Sequence, residues 1–344
     1  MTPDVSIVIC TRNRNERIKS TLESVFENTW TNFEVIIIDQ SRDESTQTAV
    51  QPFLTDPRYI YKRTTTTGLS KARNIGLSEA RGKIIAFTDD DCRVSANWVE
   101  AVLQEFAHYP AVTSIFGRII PGDLPNAADL SESFNFSQAK RLQQVLPIAK
   151  KDDPAPHLFK ENPNDLGFGH GANMCFRRST FSKFGEFDEF LGAGAVLGAW
   201  EDRDMGHRIL LGGGQILYSP DIVIYHDHWR EWPEVKKAYK NYAIGTGTAV
   251  NKYIRSGNWS SIGLLFDWMA QLGVRQVFSG IFKWHSWKKT YIGLSQIIYP
   301  WVGLIKGFKY NIDPAKKLFI NEKAEHAVYH PATDELIDTK NYLK

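Results

Sequence analysis

Three features of the sequence predict an α/β fold, with a mostly parallel sheet flanked by helices and a helical C-terminal extension. Short β-branched runs recur through the first 120 residues, segments of helical period separate the first four of them, and runs such as "VIII" and "KIIAF" are almost wholly apolar. Strand and helix in alternation require right-handed crossovers, which set strands parallel and put helices on both faces. Near-continuous apolar runs fit strands buried on two sides. At 344 residues and 42% hydrophobic, the chain can build one large domain or two smaller ones.

The first strand is "VSIVIC" (5–10), and "NERIKSTLESVFEN" (15–28) follows with apolar residues at helical spacing. "FEVIIID" (33–39) and "YIYKR" (59–63) are the next strands, "SKARNIGLSEAR" (70–81) the next helix, and "KIIAFTD" (83–89) and "TSIFGRII" (113–120) the strands after it. From 121 to 165 the pattern dissolves into polar sequence, including "KKDDPAPHLFKENPND", and predicts a long loop. Order returns with "GHGANMCFRR", a helix at "WEDRDMGHRILLGGG" stopped by its glycines, and a strand in "QILYSPDIVIYHDH". The expected domains are a catalytic unit over 1–230 and an extension over 231–344, helical, aromatic and basic to about residue 312, with a loosely organised polar tail.

With 41 basic and 39 acidic residues, the balance gives no reason to expect a nucleic-acid partner. Cys10, Cys92 and Cys175 form no close pair, so neither a disulfide framework nor a cysteine zinc site is indicated, and a reducing cytoplasm suits them. "MTPDVSIVIC" lacks a basic region and a long apolar stretch, so the chain is expected to begin directly with its fold rather than with a signal peptide.

In parallel sheets ligands bind at the carboxyl ends of strands, where Thr11, Asp39 and the run Asp89, Asp90, Asp91 all fall. If the chain stays extended, Asp89 and Asp91 point to one side and Asp90 to the other. Two converging carboxylates raise each other's pKa, and a divalent cation bound through oxygen removes the conflict. A solvated acidic turn is the competing reading.

"SIVICTRNR", "VIIIDQSRD", "GLSKARNIGL", "IIAFTDDDC", "GHGANMCFRR" and "WEDRD", in this order, resemble a family 2 glycosyltransferase of the GT-A fold over roughly residues 4–230. The resemblance implies inverting transfer of a sugar from a nucleoside diphosphate sugar, with a UDP-sugar the favoured donor. It implies that Thr11 and Asp39 contact the base and that Arg73 helps hold the nucleotide. Asp89 and Asp91 match the family's D-x-D, with Asp89 nearer the ribose and diphosphate and both at a Mn²⁺ or Mg²⁺ ion that Asp91 holds directly.

Such a displacement needs a base for the acceptor hydroxyl, and Glu201, Asp202 and Asp204 lie near a helix start, where acids are also favoured by the macrodipole alone. The resemblance favours Asp202 as base, with Glu201 orienting the acceptor or the helix start. "YHDHWR" ends the last strand, and the resemblance makes His226 a metal ligand, with His228 second; the alternative is a surface histidine. "FLGAGAVLGAW" fails as a dinucleotide fingerprint and reads as a flexible loop beside the acceptor.

"TYIGLSQIIYPWVGLI" (290–305) is uncharged but short and holds Pro300, a poor spanning helix. Lysines and aromatic residues around it suit a helix lying in a membrane interface, against the alternatives of a helix packed on the catalytic domain or a homodimer contact. The resemblance implies a glycan or lipid-linked acceptor in cell-surface polysaccharide synthesis and a cytoplasmic location, peripheral on the membrane's inner face. Two rivals stand beside this reading. A nucleotidyltransferase shares the acidic cation site but carries a glycine-rich, lysine-containing loop that "CTRNRNER" lacks, and a sugar-binding scaffold would keep the fold without the chemistry.

Overall fold

The computed structural model describes residues 2–122, 155–227 and 231–320, together with the backbone of 327–330 and 335–338. The N-terminal elements are β1 (Val5–Thr11), α1 (Asn15–Phe26), β2 (Phe33–Asp39), α2 (Ser45–Val50), β3 (Tyr59–Arg63), α3 (Leu69–Glu79), β4 (Ile84–Asp89), β5 (Cys92–Val94), α4 (Trp98–His108) and β6 (Ser114–Pro121). After them come β7 (His157–Phe159), β8 (Asn173–Arg177), α5 (Ser179–Phe184), α6 (Glu201–Leu211) and β9 (Ile216–His226).

Nine strands form one sheet in the order β3-β2-β1-β4-β8-β6-β9-β5, with β7 paired to β9. Strands β1 to β4 are parallel, and their register sets Thr11 opposite Asp39 and Cys10 opposite Asp89. One sheet edge therefore receives all three expected polar strand ends. Beyond β4 the sheet is mixed, because β8 enters antiparallel between β4 and β6. The expected loop of 121–165 falls mostly outside the described residues, but its "HLF" is β7.

Two apolar layers cover the sheet. Ile7, Ile9, Val35 and Ile37 face one layer, while Val8, Ile36, Ile38 and Phe87 face the other. Side-chain alternation sends neighbours to opposite faces, so a strand with a helix layer on each side must be apolar throughout. Each such side chain, fully buried, contributes about 1.5–3 kcal/mol.

The C-terminal part holds α7 (Trp232–Arg255) and a helical run of α8 (Ile262–Trp268), a π segment Met269–Val274, α9 (Arg275–Phe278) and a π segment Ser279–Lys283. It continues in α10 (Trp287–Gly307) and the strands β10 (Asn311–Asp313) and β11 (Leu318–Ile320). None of the described helices is long and apolar enough to cross a membrane.

Helix α10 lies so close to α7 that only glycine fits at their contact: a Cβ on Gly247 would sit 1.7 Å from the Pro300 carbonyl oxygen, and one on Gly303 1.9 Å from that of Ile244. Gly247→Val is therefore expected to force the helices apart and cost about 1–3 kcal/mol or more, seen as a lower urea midpoint. Residues 311–320 are not loosely organised, contrary to the sequence reading. Tyr310 and Phe319 pack on Phe190, and the Phe319 N–H donates to Asp188 Oδ2 at 3.0 Å. Ile312 joins Phe319 in the same small apolar cluster with Leu191 and Leu197.

Candidate active site

The chain does not remain extended through the three carboxylates. Strand β4 stops at Asp89, and Asp90 and Asp91 form the turn into β5. The expected alternation therefore fails, and Asp90 and Asp91 share one partner instead of parting. Arg14 Nη1 lies 2.6 Å from Asp90 Oδ1 and 3.2 Å from Asp91 Oδ2. Burial pushes Asp90 up to about 6 although Arg14 opposes it. Burial also works against the Arg14 charge, but Asp90 and Asp91 outweigh it and raise that pKa.

The other oxygen of Asp91, Oδ1, lies 3.5 Å from His226 Nε2. Antiparallel pairing of β5 with β9 brings this about by setting Cys92 opposite His226. Asp91, Cys92 and His226 offer ligand atoms within 4.8 Å of one another. Carboxylate oxygen and imidazole nitrogen fit a Mn²⁺-like ion. The thiol fits poorly, since burial first, and then Asp89 and Asp91, hold its pKa well above the ordinary value. Asp89 stands outside this trio, and His228 lies outside the described residues.

Asp89 faces Arg73 instead, at 3.5 Å from Nη2. Arg73 is buried on α3; its Nη1 donates to Glu201 Oε1 at 2.8 Å, and its Nη2 donates to the Gly171 carbonyl at 3.3 Å. Burial disfavours this guanidinium charge, yet Glu201 and Asp89 raise its pKa. One cation thus ties the acidic turn to the start of α6.

Among the first four residues of α6, Asp202 alone is not buried. Its Oδ2 accepts from the Gly171 N–H at 2.8 Å and its Oδ1 from the Arg203 N–H at 2.7 Å. Burial works to raise its pKa, but Arg203, His170 and Arg73 win and hold it below the ordinary value. Glu201 goes the other way, pushed up by burial against the pull of Arg73. Adjacent carboxyls driven apart in this way are an arrangement seen where one of them handles a proton. Asp204 is turned into the core, where Lys252, Arg208 and Tyr253 surround it.

Residues 6–185 match the family model "Glycosyl transferase family 2". The chain belongs to glycosyltransferase family 2. "Putative glycosyltransferase EpsH" of Bacillus subtilis is 35% identical over 180 residues, 52% of this chain and 48% of that one. "Glycosyltransferase AglE" of Haloferax volcanii is 28% identical over 252 residues, covering 71% and 73%. "Glucosyl-dolichyl phosphate glucuronosyltransferase" of the same organism is 23% identical over 192 residues, 55% of this chain and 57% of that one. The chain thus spans about half the length of two of these three relatives. A mannosyltransferase from Pyrobaculum calidifontis, solved with GDP-Man and Mn²⁺, shares the fold at TM-score 0.57 and 16% identity, over 89% of this chain and 88% of that one. The expected family and GT-A fold hold.

In this family 2 chain Thr11 and Asp39 close neighbouring strands, both buried. Asp39 Oδ2 accepts from the Tyr61 hydroxyl at 2.6 Å and Oδ1 from the Ser41 N–H at 2.8 Å, so the carboxylate is enclosed by its own sheet edge. At the two ends of the expected flexible loop, Gly192 and Gly198 are buried, while Ala193, Gly194 and Val196 between them are exposed. Gly198, at φ +92°, leaves no room for a Cβ, which would meet the Asn241 carbonyl oxygen and the Gly245 nitrogen at 2.6 Å. Sequence reasoning missed Arg14, Tyr61 and the Arg73 to Glu201 contact. A basic turn after β1 facing an acidic turn after β4 becomes readable only once those strands are known to be neighbours.

Proposed function

We propose that this glycosyltransferase moves a sugar from a nucleoside diphosphate sugar to a hydroxyl of a glycan or lipid-linked acceptor, with inversion, in cell-surface polysaccharide synthesis. In this reading 1–230 is the catalytic unit and 231–344 its extension. Asp202 is the base. What carries the proposal is the one partly open, low-pKa carboxylate on α6, joined through Gly171 and Arg73 to the acidic strand end of Asp89.

Asp202 takes the proton of the acceptor hydroxyl while that oxygen bonds to the anomeric carbon and the carbon to diphosphate bond breaks, its electron pair leaving with the diphosphate. Arg73 fixes Glu201 and the Gly171 carbonyl, and the Gly171 N–H aims Asp202. Thr11 and Asp39 line the nucleotide side at the ends of β1 and β2, and Asp89 faces the ribose and diphosphate. Asp91 and His226 would hold Mn²⁺ or Mg²⁺, supported by their donor atoms and by the cation bound on the same fold in the Pyrobaculum enzyme. When bound, such an ion acts as a Lewis acid toward the charge on the departing diphosphate.

Thermal unfolding with UDP, GDP, TDP and CDP, each with and without Mn²⁺, tests the donor class. One diphosphate should raise the melting temperature only with metal, equivalent to about 2.7 kcal/mol at a hundredfold excess over Kd. Asp91→Ala should abolish the shift. If no diphosphate stabilises the wild type, the donor and cation assignments fall together.

A further inference from the structure

The C-terminal helices are amphipathic in the wrong sense for water. On α10 the residues at helical spacing, Trp287, Tyr291, Leu294, Ile298, Trp301 and Ile305, are 40–67% exposed. Its buried face consists of Gly293, Ser295, Gln296, Pro300, Gly303 and Gly307, with Ile292. The antiparallel run 262–283 also exposes an apolar stripe: Ile262, Phe266, Val274, Phe278 and Phe282 are 44–70% exposed, whereas Leu264, Leu265, Leu272, Gly273, Gln276 and Gly280 are buried.

Small residues hold the two together. A Cβ on Gly273 would lie 2.5 Å from Ile297 Cγ1, and one on Gly293 2.7 Å from the Val277 nitrogen. Trp268 Nε1 donates to Gln296 Oε1 at 3.1 Å, and Gln296 Nε2 donates to the Tyr239 carbonyl at 3.0 Å. A surface helix ordinarily turns its apolar stripe inward, and an apolar patch of this extent marks a binding surface.

The charges say what binds. Residues 262–312 contain Arg275, Lys283, Lys288, Lys289, Lys306 and Lys309 against a single carboxylate, Asp267. Three of these lysines lie against indole rings near the turn between the helices: Lys283 and Lys289 over Trp284 at 5.4 and 5.3 Å, and Lys288 over Trp232 at 5.4 Å. Tryptophan beside lysine at the rim of an apolar face is the arrangement that sits at a lipid headgroup layer. A second copy of the chain would set six cations against six on this face, with only Asp267 of each copy to pair them.

We propose that this helical pair lies flat on a bilayer containing anionic phospholipid, with the exposed stripes among the acyl chains and the lysines among the headgroups. The surface is defined by its own residues and does not depend on the catalytic assignment. The test is co-sedimentation of the full chain with phosphatidylcholine vesicles, with and without phosphatidylglycerol, at low and high salt, with the oligomeric state read by light scattering.

Wild type should bind the phosphatidylglycerol vesicles, and more weakly at high salt. Phe278→Ser with Ile298→Ser should lose the binding at an unchanged melting temperature, since both side chains are exposed. Lys288→Glu with Lys289→Glu should weaken it by at least about tenfold. The proposal is overturned if wild type ignores both vesicles or binds them equally. It is also overturned if wild type is a dimer that the double serine variant dissolves, because a second copy would then cover the face.

Discussion

Asp202→Asn should lower the transfer rate by about 10²–10⁴-fold, the range for losing a general base, while stabilisation by the donor's nucleoside diphosphate is retained. Asparagine keeps a side-chain oxygen to accept from the Gly171 N–H, so the loop holding Asp202 stays in place and the missing basicity is what the rate reports. Glu201→Gln provides the contrast. It weakens the partner of Arg73, and with it the link to Asp89, so its effect should extend to donor binding. Transfer undiminished in Asp202→Asn would remove this residue from the role, whatever the donor panel shows.

Lys252→Met should cost about 3–5 kcal/mol of stability, the usual consequence of taking one partner from a fully buried ion pair. Lys252 has no exposed surface; its Nζ lies 2.7 Å from Asp188 Oδ2 and 2.6 Å from Asp204 Oδ1, and both of those carboxylates are also unexposed. Asp204 would keep Arg208 at 3.0 Å and the Tyr253 hydroxyl at 2.6 Å. Among the described residues, Asp188 would be left with the backbone N–H groups of Phe190 and Phe319. Urea unfolding checks this through a fall in midpoint at constant slope. A change under about 1 kcal/mol would mean that the two carboxylates are satisfied without the lysine.

The first half of the fold was legible almost residue by residue. The expected strands 33–39 and 59–63 match β2 and β3, because β-branched runs with helical segments between them admit little else. Strand β5 is three residues long and β8 is placed by a partner on either side, so neither carries a periodic signal. The acidic motif was legible as a site, but its geometry was not. A turn at Asp90 breaks the two-residue period, and Arg14, 76 residues earlier, decides where that carboxylate points. Arg73 shows the same limit. Its helix position reads as exposed or as nucleotide-binding, while the groups that bury it, Glu201 and Gly171, are 128 and 98 residues away.

The buried lysine has a consequence for how the chain is made. Asp188 and Asp204 lie within the first 230 residues, yet Lys252, which neutralises them, and Phe319, whose N–H completes the Asp188 contact, belong to the last third. During synthesis from the N-terminus, the sheet can assemble while Asp188 and, on α6, Asp204 still lack the lysine that seals them from water. Helix α6 is therefore expected to remain open on the ribosome until α7 emerges, and contacts spanning 131 residues close last. A chain truncated at 230 should stay a partly folded substrate for chaperones.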